Sequence, residues 1–250
     1  MTIHFAADFP GLGICVVSDT AVSTLEDGVS RQRKGTAHKI FFANRGSGVV
    51  VAAAGNGDLC NSTLLSFDRA EQPICTPEGA ASWMQNAFPD FSNGRGAEFI
   101  VAGRDPNRDG EFQIAVLRSR PSTHRNLSIV PETKDHATIG FQAPIFNSEF
   151  CGYLRANIDR IYSLSFAVPE KIWSKVSDSR EGFGLGIIGG ALIGVAQDVV
   201  SENRWEEMIG GPWTATCIPL SGQIFQTSGE MYNGATIRTG AHINALAGKS

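Results

Sequence analysis

The chain has 250 residues, of which 42% are hydrophobic and 18% charged, and its formal net charge is −4. This composition is typical of a folded globular protein and argues against an intrinsically disordered chain. The basic residues do not gather into one long run, so the charge pattern also argues against nucleic acid as a partner.

Apolar runs separated by turns predict most of the regular structure. Consecutive apolar residues in several runs favour strands that are covered on both faces. The predicted strands are, in chain order, 2–7, 13–18, 39–44, 48–54, 97–103, 111–119, 127–131, 137–140, 213–220 and 223–227. The predicted helices are 58–67, 76–84, 144–162 and 179–203. The second of them begins at Thr76-Pro77-Glu78, an N-cap residue followed by a first-turn proline.

This order of elements predicts the fold class. Strands, two helices, strands, two helices and strands fit an α+β fold of two central sheets between helix layers, a four-layer αββα sandwich. No linker interrupts the pattern, so we expect a single domain over residues 1–250. From Gly229 onward the residues are small and polar, and we expect residues 229–250 to form a poorly ordered tail.

Cysteine and histidine usage bears on the compartment and on cofactors. The five cysteines are widely spaced and form no CxxC motif, and the five histidines show no metal-ligand spacing. We therefore expect reduced thiols in a cytoplasmic protein, without a metal or organic cofactor. The N-terminus lacks the pattern of a secretory signal. The apolar stretch 183–200 contains Gln197 and Asp198, and we interpret it as a buried helix and not a membrane span.

Two glycine patterns share this predicted last helix. Residues 184–189 match the dinucleotide-binding pattern GxGxxG, but the preceding residues are polar and no apolar strand leads into it, so we reject that site. Glycines at 182, 186, 190 and 194 fall on one helical face. Because each weakens the helix, they predict the close approach of another backbone, either within the fold or from a neighbouring subunit.

The first 55 residues hold the candidate catalytic residues Thr2, Asp19, Lys39 and Gly55. A terminal threonine carries a hydroxyl nucleophile and an α-amine that can act as its base in the same residue. A nearby lysine ammonium would lower the pKa of both groups, and an aspartate could hold that lysine in place. A glycine N–H at a strand end suits the stabilisation of an oxyanion.

Each of these residues also has an ordinary interpretation. Asp19 could be a turn residue at a strand end, Lys39 a solvated lysine, and Gly55 a turn glycine. The loop expected between Asp19 and Lys39 is long and contains three further cations, Arg31, Arg33 and Lys34.

Four parts of the first 55 residues resemble the proteasome β-subunit family of N-terminal-nucleophile hydrolases. They are the start at Thr2 and the stretches 16–19 (VVSD), 38–40 (HKI) and 50–55 (VVAAAG). The Met-Thr start is similar to bacterial relatives such as Anbu and the betaproteobacterial proteasome homologue. The resemblance implies an αββα fold, with Thr2 as nucleophile once Met1 is removed. It further implies Asp19 and Lys39 as its supporting pair and Gly55 as oxyanion donor.

The same resemblance implies a threonine endopeptidase that cleaves peptides or unfolded proteins inside a ring or stacked-ring homo-oligomer, served by an ATP-dependent unfoldase. Two departures concern serines that in the family organise the terminal amine. Neither 139–142 (IGFQ) nor 206–211 (EEMIGG) contains a serine. Two alternatives therefore stay open: a catalytically inactive ring-forming scaffold subunit, and a non-peptidase amidohydrolase that acts on small amides.

Overall fold

The structure is a computed structural model that describes residues 2–26, 29–36, 39–42, 48–57, 60–61, 63–64, 76–87, 96–106, 112–119, 127–130, 135–206, 208–209, 211–232 and 235–242. For residues 22–26, 29–36, 42, 87, 127–130, 230–232 and 235–242 only the backbone is described.

The strands are β1 (Ile3–Phe9), β2 (Gly13–Asp19), β3 (Ala21–Glu26), β4 (Val29–Thr36), β5 (Ile40–Phe42), β6 (Val49–Gly55), β7 (Ala97–Arg104), β8 (Phe112–Ser119), β9 (Leu127–Val130), β10 (His136–Gly140), β11 (Trp213–Pro219), β12 (Phe225–Tyr232) and β13 (Ala235–His242). The helices are α1 (Pro77–Ala87), α2 (Ala143–Ala167), α3 (Glu170–Trp173) and α4 (Arg180–Glu202).

The fold is mixed α/β with two antiparallel sheets. The first sheet has the strand order β10-β1-β2-β11-β12-β13, and the second has the order β5-β6-β7-β8-β9. Strands β3 and β4 pair with each other as a separate hairpin. In the first sheet β1 is a central strand, because it pairs with β10 on one side and with β2 on the other.

The alternation of side chains along β1 shows how the layers meet. Phe5 and Ala7 pack in a core shared with helices α2 and α4, whereas Ala6 packs in a second core that joins the two sheets. A third core lies between the second sheet and α1, and includes Phe99 and Met84. The start of β1 is therefore covered by helices on one face and by the second sheet on the other.

Helix α4 is the most apolar helix described. By length and composition alone it could cross a membrane, but 56% of its apolar window is buried within the protein, as in a core helix. Its close approaches fall at Gly182, Gly184 and Gly189: a Cβ would lie 2.6 Å from Ser177 Oγ at Gly182 and 2.7 Å from the Ala215 side chain at Gly189. Along the predicted face, Gly190 and Gly194 border open space. At these two glycines no backbone approaches from within the described chain, and an approach from a neighbouring subunit stays a prediction.

One further expectation differs from the structure. The segment between Asp19 and Lys39 contains the hairpin β3–β4 and not only a loop, and its cations Arg31, Arg33 and Lys34 have their backbone in β4. Within the segment 229–250, where we expect a poorly ordered tail, β12 ends at Tyr232 and β13 spans Ala235–His242. Residues 233–234 lie outside the described residues, and the poor order of this tail stays a prediction. Residues 243–250 lie outside the described residues.

Candidate active site

Asp19 lies at the end of β2, beside the start of β1. The two strands run antiparallel with His4 opposite Ser18, which brings Asp19 next to Ile3. The Asp19 side chain is fully buried, and its Oδ1 accepts a hydrogen bond from the Ile3 backbone N–H at 2.9 Å. The carboxylate thus holds the backbone of the residue that directly follows Thr2.

Lys39 completes this buried cluster. Its Nζ donates to Asp19 Oδ2 at 2.9 Å and also to the carbonyl of Ala21, and only 9% of its side chain is exposed. Burial raises the pKa of Asp19 and lowers that of Lys39, because both charges are removed from water, while their mutual attraction opposes each shift. The structure therefore joins two of the candidate residues in a desolvated ion pair, one residue from Thr2.

Thr2 is half-buried, and its backbone is fixed from the side of β10. The Phe141 N–H donates to the Thr2 carbonyl at 2.8 Å, and Ile3 lies opposite Gly140. Gly140 has φ +101°, and a Cβ there would meet the Thr2 carbonyl oxygen, so the close approach requires glycine. The segment that resemblance associates with an amine-orienting serine thus contacts Thr2 through its backbone.

Gly55 lies in the second sheet, at the exposed end of β6. It has φ +107°, and a Cβ at this position would meet the carbonyl oxygen of Gly96, so a side chain is excluded both by conformation and by space. The strand end is connected to the Thr2 strand through His4, whose Nε2 lies 2.8 Å from the carbonyl oxygen of Ala53. Ala53 precedes Gly55 by two residues.

Sequence reasoning missed two residues that border this site, His4 and Glu98. The Glu98 carboxylate accepts from the Gly140 N–H through Oε2 and from Arg118 through Oε1, each at 2.9 Å. It therefore supports the backbone that contacts Thr2. For both residues the available signal was a polar side chain within an otherwise apolar strand.

Other predicted parts of the site are only partly described. Glu206 is exposed, whereas Glu207 and Gly210 lie outside the described residues. Among the residues that the structure describes, no group of three or more His, Cys, Asp or Glu side chains could hold a metal ion.

Comparison with known proteins gives distant similarities. No known protein family and no curated protein matches the sequence. Among solved structures, Anbu (ancestral beta-subunit) from Yersinia bercovieri is similar at 15% identity and a TM-score of 0.49, over 90% of this chain and 86% of that chain. The helical assembly of the Anbu complex from Pseudomonas aeruginosa is similar at 13% identity and a TM-score of 0.47, over 98% and 88%.

Proposed function

We propose that this chain is an N-terminal-nucleophile hydrolase, specifically a threonine endopeptidase in which Thr2 attacks peptide carbonyls after Met1 is removed. One observation carries the proposal. A fully buried Asp19 carboxylate bridges the Ile3 N–H and the Lys39 ammonium at 2.9 Å each. Burying an ion pair is costly unless its hydrogen bonds are satisfied, and an apolar pair would serve stability equally well. The Asp19–Lys39 pair lies beside residue 2, where a threonine nucleophile at that position requires a nearby positive charge.

In the proposed reaction the Thr2 hydroxyl adds to the peptide carbonyl and its proton passes to the Thr2 α-amine, directly or through water. The unperturbed pKa of an α-amine, about 7.7–8.0, suits it to this role near neutral pH. The Gly55 N–H stabilises the oxyanion. Collapse of the tetrahedral intermediate expels the leaving amine, which takes the proton, and leaves an ester on Thr2. Water then hydrolyses that ester and regenerates the hydroxyl.

Lys39 acts through its charge in this scheme. An ammonium close to Thr2 favours the neutral form of the amine, which is the form that can accept a proton. The pKa of buried His4 is lowered mainly by desolvation, and the positive charge of Lys39 lowers it further. Asp19 keeps Lys39 in position and retains its charge against the cost of burial.

The proposal extends to the finer architecture and to assembly. Helices α2 and α4, the first sheet, the second sheet and α1 meet through three successive cores, which supports a four-layer αββα sandwich as a single domain. From the sequence resemblance we further propose a cytoplasmic ring or stacked-ring homo-oligomer that receives peptides or unfolded proteins, with an ATP-dependent unfoldase as partner.

Intact mass followed by covalent labelling tests the nucleophile. The mature protein should lack Met1, and a peptide epoxyketone or β-lactone should add one adduct, located at Thr2. Thr2→Ala should take up none, and Thr2→Ser should retain labelling because it keeps a terminal hydroxyl. A retained Met1, or an adduct that persists in Thr2→Ala, would contradict the proposed nucleophile.

A catalytically inactive scaffold subunit is the second candidate. It is favoured by the segment 139–142, which contacts Thr2 through a backbone N–H but has no serine hydroxyl. This candidate predicts a large homo-oligomer by light scattering that is unlabelled although Met1 has been removed. An amidohydrolase for small amides would instead be a monomer or dimer that ignores peptide substrates.

A further inference from the structure

His4 shares a face of β1 with the proposed nucleophile. Thr2, His4 and Ala6 alternate with Ile3 and Phe5 along the chain, and Ala6 packs in the core between the two sheets. His4 is fully buried. It is a polar ring within an otherwise apolar part of the strand, and this placement calls for a physical reason.

The contacts of His4 define its tautomer. Nε2 lies 2.8 Å from the Ala53 carbonyl oxygen, which can only accept, so Nε2 carries the hydrogen. Burial lowers the pKa of His4 to about 3, with the nearby Lys39 ammonium acting in the same direction and the hydrogen bond to Ala53 opposing it. At neutral pH the ring is therefore uncharged, protonated on Nε2 and bare on Nδ1.

Ala53 makes two hydrogen bonds, which connect β6 with β1 and with Lys39, the residue directly before β5. Its N–H donates to the Lys39 carbonyl at 3.3 Å, and its carbonyl accepts from His4. Because β5 begins only at Ile40, the Ala53 carbonyl lies beyond the last residue pair of the β5–β6 ladder.

We infer that His4 is a positioning residue for the proposed threonine-nucleophile reaction, holding the Thr2 strand at a fixed distance from the Gly55 strand through its hydrogen bond to Ala53. The inference rests on the proposed function. His4 lies two residues after Thr2, and Ala53 lies two residues before Gly55. Nucleophile and oxyanion donor belong to different sheets, so their separation depends on such bonds between the sheets. A displacement of about 1 Å between reacting groups can cost about 100-fold in rate.

Stability alone is a poor reason for a histidine at this place. The buried Nδ1 has no hydrogen-bond partner among the residues that the structure describes, and an unsatisfied buried acceptor destabilises the fold. An apolar residue would avoid that cost but would remove the hydrogen bond to the Ala53 carbonyl. The unsatisfied atom is therefore the consequence of placing an N–H donor between the two sheets.

Two amide substitutions separate this role from a merely structural one. In His4→Gln the side-chain amide nitrogen reaches about the position of Nε2 and can still donate to Ala53. In His4→Asn the amide nitrogen reaches only about the position of Nδ1 and cannot. Both are measured with the same peptide epoxyketone under conditions where each variant is folded by circular dichroism, and the maximal labelling rate is separated from the half-saturating concentration.

We expect His4→Asn to lower the maximal labelling rate about 10- to 100-fold with little change in the half-saturating concentration. We expect His4→Gln to stay within about threefold of the parent protein. If the parent protein and both variants are labelled at Thr2 with the same maximal rate, the role of His4 is overturned and the proposed function stays intact. A parent protein that is never labelled at Thr2 would instead overturn the proposed function and this role with it.

A measurement on the unmodified protein covers the case in which His4→Asn does not fold. Imidazole ¹⁵N NMR at pH 7 should show His4 protonated on Nε2 and bare on Nδ1. A ring protonated on Nδ1, or on both nitrogens, could not be the neutral Nε2–H donor described here and would overturn the inference.

Discussion

Replacing Asp19 by asparagine removes the charge from the buried Asp19–Lys39 pair and nearly preserves the shape of the side chain. The remaining amide oxygen can still accept from the Ile3 N–H, so the variant isolates the ion pair. Because the carboxylate is 0% exposed and the Lys39 side chain 9% exposed, the ammonium is left without its counter-charge in a desolvated place. Breaking a buried pair by removing one partner costs about 3–5 kcal/mol.

Arg118→Gln is the matched control, because Arg118 Nε and Glu98 Oε1 are also 2.9 Å apart. That pair has side-chain exposures of 36% and 33%, so its loss should cost no more than about 1 kcal/mol. Urea unfolding at one fixed protein concentration measures both variants, since assembly would make the midpoint depend on concentration. The distances are equal, so the difference between the two variants measures the effect of burial.

The pH dependence of Asp19→Asn follows from Lys39. Without Asp19 the pKa of Lys39 in the folded variant falls further below its value in the unfolded chain. The unfolded chain then binds more protons, so the stability of the variant rises with pH above neutrality, by at most about 1.4 kcal/mol per pH unit. If Asp19→Asn costs no more than Arg118→Gln, or its stability does not rise with pH, the description of a desolvated charge pair is refuted.

Three further predictions test the geometry around the site and along α4. Gly55→Ala should destabilise the protein by about 2 kcal/mol or more in urea unfolding, because Gly55 has a positive φ and its Cβ would meet the Gly96 carbonyl. The control Gly57→Ala has nothing near its Cβ position and should change the stability by less than about 0.5 kcal/mol. Equal effects of the two substitutions would contradict the strained end of β6. The folded pKa of His4, about 3, lies below its ordinary 6.5, so its contribution to stability is full above pH 6.5 and is lost as the pH falls towards 3. His4→Gln should lack that part of the acid sensitivity, and identical pH profiles would argue for a solvated ring. Gly190→Ala should stabilise α4 by about 0.5–1 kcal/mol by thermal unfolding while Gly189→Ala destabilises the protein, and the opposite order would show that the buried face of α4 is assigned wrongly.

The candidate site was predictable where it depends on strand ends. Asp19 and Gly55 each terminate an apolar run in the sequence and terminate β2 and β6 in the structure. Lys39 was predicted as the first residue of a strand and lies directly before β5. Apolar runs bounded by a polar residue or a glycine indicate such positions, because the end of the apolar pattern is visible in neighbouring residues.

The contacts that surround Thr2 were not predictable in the same way. Glu98 reaches Gly140 across 42 residues of sequence, and His4 reaches Ala53 across 49. Nothing in the local pattern of either strand indicates its partner, because the pairing depends on how the two sheets stack. The last strand, β13, was not predicted for a related reason, since its place in the sheet comes from backbone pairing with β12 and not from an apolar pattern.

The sequence by itself determined most of the strands and helices, the polar and glycine residues at their ends, and the resemblance that assigns roles to Thr2, Asp19, Lys39 and Gly55. The spacing of apolar residues and the residue types that form turns are local properties, so they can be recognised from neighbouring residues. The tertiary structure alone decided that Asp19 and Lys39 form a buried pair beside residue 2, and that His4 links the two sheets. Burial and hydrogen bonding between distant strands are properties of the packed core, and they set the charges on which the proposed chemistry depends.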